Sequence, residues 1–230
     1  MVKDTKTLVV IAALNEEKGI GPTLKEIRQH LNNHECLVVD GQSTDKTAEI
    51  AKTNGASIIF QEGKGKGNAI TLGIKNSRRP DINYLAFVDA DFTYPAKYLP
   101  TMIKILDENE EVGMVCGNRF STNIAIKTMP NHFFLGNKLL SITHNLLNGV
   151  QLQDPLTGLR IIRRELTENW TPKSEGFDIE VELNNQVAKK GMKIIEIPIT
   201  YRERMGKKKL KITDGFAIFK RILFDSIQIK

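Results

Sequence analysis

Short runs of apolar residues, rich in β-branched side chains, alternate with longer segments of mixed polarity through the first half of the chain. The runs occupy residues 7–14, 36–40, 57–60, 84–89 and 112–117. Between them, apolar residues recur at helical spacing and leave one polar face. This alternation predicts a parallel sheet with helices on both faces. Ligands bind at the carboxyl ends of the strands in such sheets, so the residues that follow each run are the candidates for chemistry.

The second half of the chain has a less regular pattern. It contains a long apolar-rich stretch at 132–150, a polar turn at 153–160, a predicted helix near 177–191, a predicted strand near 193–201 and a basic loop at 202–210. No internal repeat or low-complexity linker separates the two halves. A boundary near residue 120 therefore subdivides a single domain.

Composition and charge narrow the choice of partner. The chain has 230 residues and a formal net charge of +6, which favours an anionic partner such as a phosphate, a nucleic acid or an acidic lipid surface. Cys36 and Cys116 are the only cysteines, too few for a disulfide framework or a cysteine zinc site and typical of a reducing, cytoplasmic setting. No stretch approaches the ~18 uninterrupted apolar residues of a membrane span, and the first residues lack a signal-peptide cleavage pattern. We expect a protein that is neither exported nor membrane-spanning.

The apolar run at 84–89 leads into two aspartates, Asp89 and Asp91, that are separated by one alanine. Residues at i and i+2 of a strand point to opposite faces, so both carboxylates reach one ligand only if the strand ends and the chain turns. The Phe-Thr-Tyr-Pro sequence that follows disfavours a continuing central strand. Carboxylates in this arrangement suit Mg²⁺ or Mn²⁺ that bridges the protein to a diphosphate.

Two other interpretations of the acidic pair stay open at this point. In the first, Asp91 caps the following helix and Asp89 is solvated. In the second, the letters DADFT at 89–93 represent the D-x-D-x-T pattern of haloacid-dehalogenase-like phosphatases. That family carries its motif on the first strand, whereas three predicted strand–helix units precede Asp89 here. The sequence after residue 150 also lacks the acidic metal cluster that such a phosphatase needs.

Seven segments near the predicted strand ends occur in a recognisable order. They are VVIAALNEE (9–17), VVDGQSTDKTAEIA (38–51), GKGKGNAI (63–70), FVDADFTYP (87–95), GNRF (117–120), QDPLTGLR (153–160) and RERMGKKKL (202–210). In order and spacing they resemble family 2 glycosyltransferases with the GT-A fold, most closely the dolichyl-phosphate mannose and glucose synthases. The resemblance implies one α/β domain with a Rossmann-like, mostly parallel central sheet flanked by helices. Residues 1–120 would form the nucleotide-sugar-binding half, and residues 121–230 the acceptor-binding half with interfacial helices and a basic closing loop.

The resemblance also implies roles for individual residues. The nucleotide-sugar would contact Ala13, Asn15, Glu16, Asp40, Asp45, Lys66, Gly67, Asp89, Ala90, Asp91, Arg204 and Lys209. Mg²⁺ or Mn²⁺ would bind Asp89, Asp91 and Thr93. The acceptor phosphate would meet Arg119, His132 and Lys138. Catalysis would depend on Asp89, Asp91, Asp154 and Arg204.

Several of these segments have a plain structural alternative. Glu16 suits the first turn of a helix, where a carboxylate faces the helix dipole, and Ser43 and Thr44 are expected to cap the next helix. The glycines at 63–67 either let the backbone approach the nucleotide-sugar or only make a loop flexible. The basic loop alone is typical of a solvated tail, whereas the resemblance implies that it neutralises charge on the leaving nucleotide.

The expected activity is an inverting transfer of a hexosyl unit from GDP-mannose or a UDP-sugar to dolichyl or another polyprenyl phosphate. One alternative is a glycosyltransferase that uses a sugar hydroxyl, for which Asp154 would serve as the general base. A phosphate acceptor is already an anion, and Asp154 would then orient other groups. Another alternative is a non-catalytic nucleotide-binding subunit.

Two apolar segments with scattered cations, at 132–147 and 215–230, bear on location. This composition is typical of helices that lie in a membrane interface, and equally of core helices or a dimer interface. We expect a peripheral protein at the cytoplasmic face of a membrane, which it reaches through its own C-terminal helix or through a membrane partner subunit. No nucleic-acid partner is expected.

Overall fold

The computed structural model describes residues 5–121 and 131–228, and the side chains at 131–133, 212 and 228 lie outside that description. Seven strands form one sheet in the order β3-β2-β1-β4-β6-β5-β7. The strands are β1 (Thr7–Ala13), β2 (His34–Asp40), β3 (Ser57–Phe60), β4 (Tyr84–Phe87), β5 (Val112–Asn118), β6 (Arg160–Arg163) and β7 (Lys193–Pro198). The α-helices of the described residues are α1 (Ile20–His30), α2 (Thr47–Thr53), α3 (Lys66–Asn76), α4 (Leu99–Glu108), α5 (Asn131–Asn148), α6 (Ile179–Lys189) and α7 (Ile212–Gln228).

Helices cover both faces of the sheet, which explains why its strands are almost continuously apolar. Alternate residues of β1 separate into two buried clusters. Val9 and Ile11 pack on the face covered by α1 and α4, and Leu8 and Val10 pack on the face covered by α3 and α6. Each fully buried aliphatic side chain contributes roughly 1.5–3 kcal/mol to stability. The predicted mostly parallel α/β sheet is confirmed.

Strand β6 is the exception to the parallel arrangement, because it pairs antiparallel with both β4 and β5. The sequence does not predict this strand, since its four residues, Arg160–Arg163, include only two apolar side chains. The guanidinium of Arg160 is buried and donates to the carbonyl oxygens of Pro155 at 3.1 Å and Thr157 at 2.7 Å. Arg160 thereby fixes the turn before β6, and its position in the strand pairs with Phe87 at the end of β4.

Strand β4 ends at Phe87, earlier than the predicted run to residue 89. Beyond it the chain turns, and Phe92 adopts φ 67°, a left-handed conformation that is costly for an aromatic residue. The Arg202 guanidinium lies 4.3 Å from the Phe92 ring centroid and makes two hydrogen bonds of 2.7 Å to Glu26. These contacts hold the turn that carries Asp89 and Asp91.

Helices α5 and α7 pack against each other and against α6 with an unusual distribution of polarity. Their contacts with α6 combine a small apolar cluster with buried hydrogen bonds and ion pairs. Apart from the buried Ile218 and Ile222 of α7, many of their large apolar side chains are exposed: Leu135, Leu139, Ile142, Leu146, Phe216, Phe219, Leu223, Phe224 and Ile227. In the part of the chain that the structure describes, no helix is long and apolar enough to cross a membrane.

Candidate active site

The carboxyl ends of β1 and β4, the starts of α3 and α6 and the loop after β7 enclose a cleft of about 910 Å³. This is the edge at which parallel sheets bind ligands. The cleft is lined by nine residues singled out from the sequence: Ala13, Glu16, Lys66, Asp89, Ala90, Asp91, Arg119, Arg204 and Lys209. The structure thus brings together residues that are up to 196 positions apart along the chain.

The Asp91 carboxylate is buried and oriented by its neighbours. Its Oδ1 accepts hydrogen bonds from the backbone N–H of Thr93 at 3.1 Å and from the Thr93 hydroxyl at 2.6 Å. Its Oδ2 lies 2.9 Å from the Arg204 guanidinium. Burial raises the pKa of Asp91, because its carboxylate loses hydration when it is charged. The neighbouring Asp89 carboxylate raises this pKa further, because two negative charges repel each other. A bound cation would offset this repulsion, and Thr93 orients the Asp91 carboxylate that would bind it.

Asp89 is fixed from two sides. Its Oδ1 accepts a hydrogen bond of 2.6 Å from the Lys66 ammonium, and its Oδ2 rests against Gly158, where an added Cβ would lie only 2.4 Å away. Lys66 also lies 2.7 Å from Glu180 at the start of α6. Burial acts to lower the pKa of Lys66, but the two carboxylates raise it. Lys66 is therefore a buried ammonium shared between two acids.

Glu16 faces the basic loop from the end of β1. Its carboxylate pairs with Arg204 and lies 3.3 Å from the Lys209 ammonium. Burial raises the pKa of Glu16, although both cations oppose the rise. Helix α1 begins only at Ile20 and has no acidic residue in its first turn, so the helix-dipole alternative for Glu16 is wrong. Its carboxylate belongs to the cleft.

The basic loop, residues 202–210, is attached to the acidic pair through its main chain. The backbone N–H of Arg202 donates to the Thr93 carbonyl oxygen, and that of Met205 donates to the Asp91 carbonyl oxygen, both at 3.0 Å. These bonds place the Arg204 side chain over Asp91. The loop is therefore part of the cleft and not a solvated tail.

This corner fits a divalent cation that takes part of its coordination from the protein. Asp89 and Asp91 offer hard carboxylate oxygens, the ligand type that Mg²⁺ and Mn²⁺ prefer. Glu16 Oε2 is buried without a hydrogen-bond partner among the described residues. Within residues 5–121 and 131–228, no group of three or more His, Cys, Asp or Glu side chains is arranged to hold a metal alone. Water and phosphate oxygens would complete the shell, as they commonly do for Mg²⁺.

Arg119 and Asp154 form a buried ion pair on another side of the cleft. Nε and Nη2 of Arg119 each donate to Asp154 at 2.7 Å, and its backbone N–H donates at 3.0 Å. The rings of Phe120 and Tyr201 lie 5.6 and 5.5 Å from the guanidinium carbon. Burial acts to lower the pKa of Arg119, but Asp154 raises it, so the side chain is a cation. Asp154 is fully buried and is not among the described residues that line the cleft, whereas its partner Arg119 is.

Asn15, which is exposed, and Asp40, which is buried, are sequence neighbours of cleft-lining residues but do not themselves line the cleft in the described structure. Asn15 Oδ1 accepts a hydrogen bond of 2.8 Å from the backbone N–H of Thr44, and Asp40 Oδ1 accepts one of 2.7 Å from that of Ser43. Ser43 and Thr44 do not cap α2 as expected, because that helix begins later, at Thr47. They fix Asn15 and Asp40 instead. Direct contact of these two residues with a nucleotide-sugar stays a prediction.

Asp45 stabilises the start of α2. Its Oδ1 accepts a hydrogen bond of 2.9 Å from the backbone N–H of Thr47, and its Oδ2 accepts one of 3.2 Å from that of Glu17. The N-cap residue of α2 is Lys46, which makes no side-chain capping bond, so Asp45 acts through local hydrogen bonds just before the helix. The predicted contact of Asp45 with the nucleotide-sugar stays a prediction.

The glycines before α3 allow close packing of the chain on itself. An added Cβ would lie 2.2 Å from the Glu175 carbonyl oxygen at Gly65 and 2.1 Å from the Ser174 carbonyl oxygen at Gly67. Gly65 also adopts φ 94°, which favours glycine. The structure therefore gives these residues a packing role that neither sequence alternative includes. The predicted contact of Gly67 with the nucleotide-sugar stays a prediction.

The remaining acceptor candidates are less informative. The His132 side chain lies outside the described residues. Lys138 is exposed on α5, next to Asn137, which lines the cleft. Of the acceptor candidates whose side chains are described, Arg119 lines the cleft and Lys138 does not.

Sequence patterns did not single out four other lining residues: Tyr94, Phe177, Glu180 and Tyr201. Tyr94 is buried, and its hydroxyl accepts a hydrogen bond of 2.8 Å from the backbone N–H of Gly158. Glu180 is one of several acidic residues in a predicted helix, so no local signal distinguishes it. These residues become recognisable only when the fold places them beside Asp89.

Comparison with known proteins decides the family. Residues 8–171 match the sequence profile of glycosyl transferase family 2. The chain belongs to glycosyl transferase family 2. This family 2 chain is 36% identical over 219 residues to the dolichyl-phosphate hexose transferase of Haloferax volcanii, a match that covers 94% of this chain and 91% of that protein. It is 24% identical over 209 residues to the polyprenol monophosphomannose synthase of Mycolicibacterium smegmatis, with 86% and 78% covered.

The structure of this family 2 chain is that of a GT-A glycosyltransferase. It matches the crystal structure of glucosyl-3-phosphoglycerate synthase from Mycobacterium tuberculosis, determined with Mn²⁺, UDP-glucose and glycerol 3-phosphate, with a TM-score of 0.76. The match covers 96% of this chain and 80% of the other at 20% sequence identity. The predicted family and fold are thus both confirmed.

Proposed function

We propose that this family 2 chain transfers a hexosyl unit from a nucleotide-sugar, GDP-mannose or a UDP-sugar, to dolichyl or another polyprenyl phosphate, with inversion at the anomeric carbon. The observation that carries the proposal is the Arg119–Asp154 pair, which presents a fixed cation to the cleft while its carboxylate is buried. The names of the relatives, dolichyl-phosphate hexose transferase and polyprenol monophosphomannose synthase, support the same class of acceptor.

The chemistry of the acceptor follows from this pair. A phosphate monoester is anionic at neutral pH and attacks without losing a proton, and a guanidinium held between two rings is well suited to bind it. A sugar hydroxyl would need a general base. Asp154 is poorly placed for that task, because both of its carboxylate oxygens accept hydrogen bonds of 2.7 Å from Arg119 and the residue does not line the cleft in the described structure. The geometry favours the phosphate acceptor.

The donor diphosphate would lie at the acidic corner. Asp89 and Asp91 would hold Mg²⁺ or Mn²⁺, which supplies Lewis-acid stabilisation of the leaving nucleoside diphosphate when it is bound. Arg204 and Lys209 reach the same corner from the basic loop and add positive charge where negative charge develops. The Mn²⁺ and UDP-glucose in the crystals of glucosyl-3-phosphoglycerate synthase support this type of cofactor and donor.

A transfer assay tests the proposal. Radiolabelled GDP- and UDP-sugars would be incubated with the protein and polyprenyl phosphate, with and without Mn²⁺, and with the unphosphorylated polyprenol as a matched control. We expect labelled lipid from one donor class, only with phosphate on the lipid and only with the cation. Label on polyprenol or on a sugar hydroxyl would contradict the acceptor. Nucleotide binding without any product would indicate the non-catalytic alternative.

The variant Asp154→Asn separates the two acceptor classes further. If Asp154 only holds Arg119, the substitution should raise KM for the lipid phosphate more than it lowers kcat, because it loosens a binding group. If Asp154 removed a proton in the reaction, kcat would collapse instead, and the pH dependence of kcat would lose its acidic limb. A collapse of kcat at unchanged KM would therefore overturn the assigned role.

We also propose that α5 and α7 place the enzyme on the cytoplasmic surface of a membrane, where a lipid phosphate is accessible. Their exposed side chains include Leu139, 64% exposed, and Phe216, 74% exposed. Lys138 and Lys220 lie on the same two helices and are exposed, as expected for apolar helices that meet anionic lipid. The free thiols of Cys36 and Cys116 support the cytoplasmic side.

Vesicle flotation tests the membrane surface. Leu139→Glu and Phe219→Glu should each release the protein from anionic vesicles, because each removes an apolar contact of roughly 1.5–3 kcal/mol and adds a repelled charge. Phe60→Glu is the matched control, since Phe60 is 61% exposed at the end of β3, away from these helices. Equal flotation of all three variants and the unmodified protein would contradict the proposed surface.

A further inference from the structure

Each aspartate of the acidic pair shares a protein cation with a glutamate. Lys66 lies 2.6 Å from Asp89 and 2.7 Å from Glu180. On the other side, the Arg204 guanidinium lies 2.9 Å from Asp91 and also pairs with Glu16. In both arrangements one cation lies between an aspartate of the pair and a glutamate. Lys66 belongs to α3, whereas Arg204 belongs to the basic loop.

Lys66 is the more enclosed of the two cations. Its side chain is 13% exposed and that of Glu180 is 6% exposed, whereas Asp89 is 29% exposed towards the cleft. An unpaired buried ammonium is costly, because it loses hydration without gaining a partner. A divalent cation that binds Asp89 competes with Lys66 for the same carboxylate. The affinity of the divalent cation therefore depends on whether Lys66 keeps another carboxylate partner once Asp89 is bound to the cation.

We propose that Glu180 is a positioning residue for the metal: it retains Lys66 when a divalent cation takes over Asp89. This inference rests on the proposed function, because it presupposes the cation at Asp89 and Asp91. It adds a residue that touches neither the cation nor the diphosphate in the proposed arrangement. Glu16 holds Arg204 in the corresponding way beside Asp91. Cation binding then leaves both Lys66 and Arg204 paired.

The charges at this corner make the inference testable through opposite effects. Without Glu180, Lys66 has Asp89 as its remaining carboxylate partner among the described ion pairs. A divalent cation that binds Asp89 would then displace the buried Lys66 ammonium from that carboxylate. Without Lys66, the competitor for Asp89 is absent and the corner is more negative. Loss of Glu180 should therefore weaken cation binding, and loss of Lys66 should not. A purely structural role would make both losses harmful.

The experiment is a Mn²⁺ titration of the full chain, followed by electron paramagnetic resonance of the free ion, with Mn²⁺ alone and with UDP or GDP added. Glu180→Gln should raise the Mn²⁺ dissociation constant by roughly 10- to 100-fold, the usual effect of losing a residue that supports a metal ligand. Lys66→Gln should bind Mn²⁺ alone at least as tightly as the unmodified protein. The double variant Glu180→Gln/Lys66→Gln should recover most of the lost affinity, because no unpaired ammonium remains.

Glu203→Gln is the matched control for net charge, since Glu203 is an exposed carboxylate that lines the same cleft. If Glu180→Gln binds Mn²⁺ as tightly as Glu203→Gln, or if the double variant is as weak as Glu180→Gln, the inference is wrong while the proposed function stands. If the unmodified protein binds Mn²⁺ no better than Asp91→Asn, the proposed cation site is wrong and the inference fails with it. A thermal melt of each variant shows whether a change in binding reflects unfolding.

Discussion

Acidification should destabilise the contact between the three helices α5, α6 and α7 through one histidine. His144 is fully buried, and its Nδ1 and Nε2 lie 2.9 and 3.3 Å from the side-chain nitrogens of Asn148 and Asn184. Burial lowers the pKa of His144 from 6.5 to about 4, and the Arg160 guanidinium lowers it as well. A protonated ring would direct an N–H at each amide nitrogen, which donates and does not accept.

The sign and size of the effect follow from proton linkage. Because the folded protein holds His144 neutral with a pKa below that of the unfolded chain, its contribution is complete above pH 6.5 and is lost as the pH falls towards 4. One unit of pKa difference corresponds to about 1.4 kcal/mol, so the limiting contribution is about 3 kcal/mol. At pH 5 the unfolded histidine is almost fully protonated and the folded one mostly neutral. The free energy of unfolding should then be about 2 kcal/mol lower than at pH 7 from this residue alone.

Urea unfolding at pH 7 and pH 5 measures the difference. His144→Gln removes the titrating group and should reduce the pH-dependent loss by about 2 kcal/mol relative to the unmodified protein. His30→Gln, which replaces an exposed histidine on α1, is the matched control. Carboxylates that titrate in the same range contribute equally to all three proteins and cancel in the comparison. An unaltered pH dependence in His144→Gln would refute the reasoning.

Three further outcomes are expected. Gly158→Ala should lower kcat at least about tenfold, because the added Cβ, 2.4 Å from Asp89 Oδ2, forces that carboxylate to move; turnover equal to that of the unmodified protein would contradict the fixed orientation of Asp89. Arg204→Ala should lower kcat more than it weakens binding of free nucleotide, measured by calorimetry, if its charge acts mainly in the transition state; equal losses would argue against that role. Gly65→Ala should lower the free energy of unfolding by about 1–3 kcal/mol, because it combines φ 94° with a Cβ 2.2 Å from the Glu175 carbonyl oxygen. An unchanged midpoint of urea unfolding would contradict this expectation.

The sequence was most informative where one local pattern determined both structure and chemistry. Strands β1 to β5 follow from continuous apolar runs, and Asp89 and Asp91 follow from the place where one run ends. Strand β6 could not be found this way, because two isoleucines between two arginines give too short a signal. The structure shows that tertiary pairing with β4 and β5 defines it.

Pairings between distant side chains were not accessible from the sequence. Arg119 and Asp154 were each singled out, but nothing local indicated that one would bury the other in an ion pair. Glu180 was missed because its role depends on Lys66, which belongs to another helix. The proposed division at residue 120 into a nucleotide-sugar half and an acceptor half stays a prediction.

The basic loop is attached through main-chain atoms, so its position does not depend on which side chains it carries. The backbone N–H groups of Arg202 and Met205 hold it to the carbonyl oxygens of Thr93 and Asp91, and neither bond requires a particular side chain. Substitutions at 204 and 207–209 can therefore vary the local charge while the backbone keeps its path. Variation of this kind offers a family a route to new leaving groups without a new scaffold.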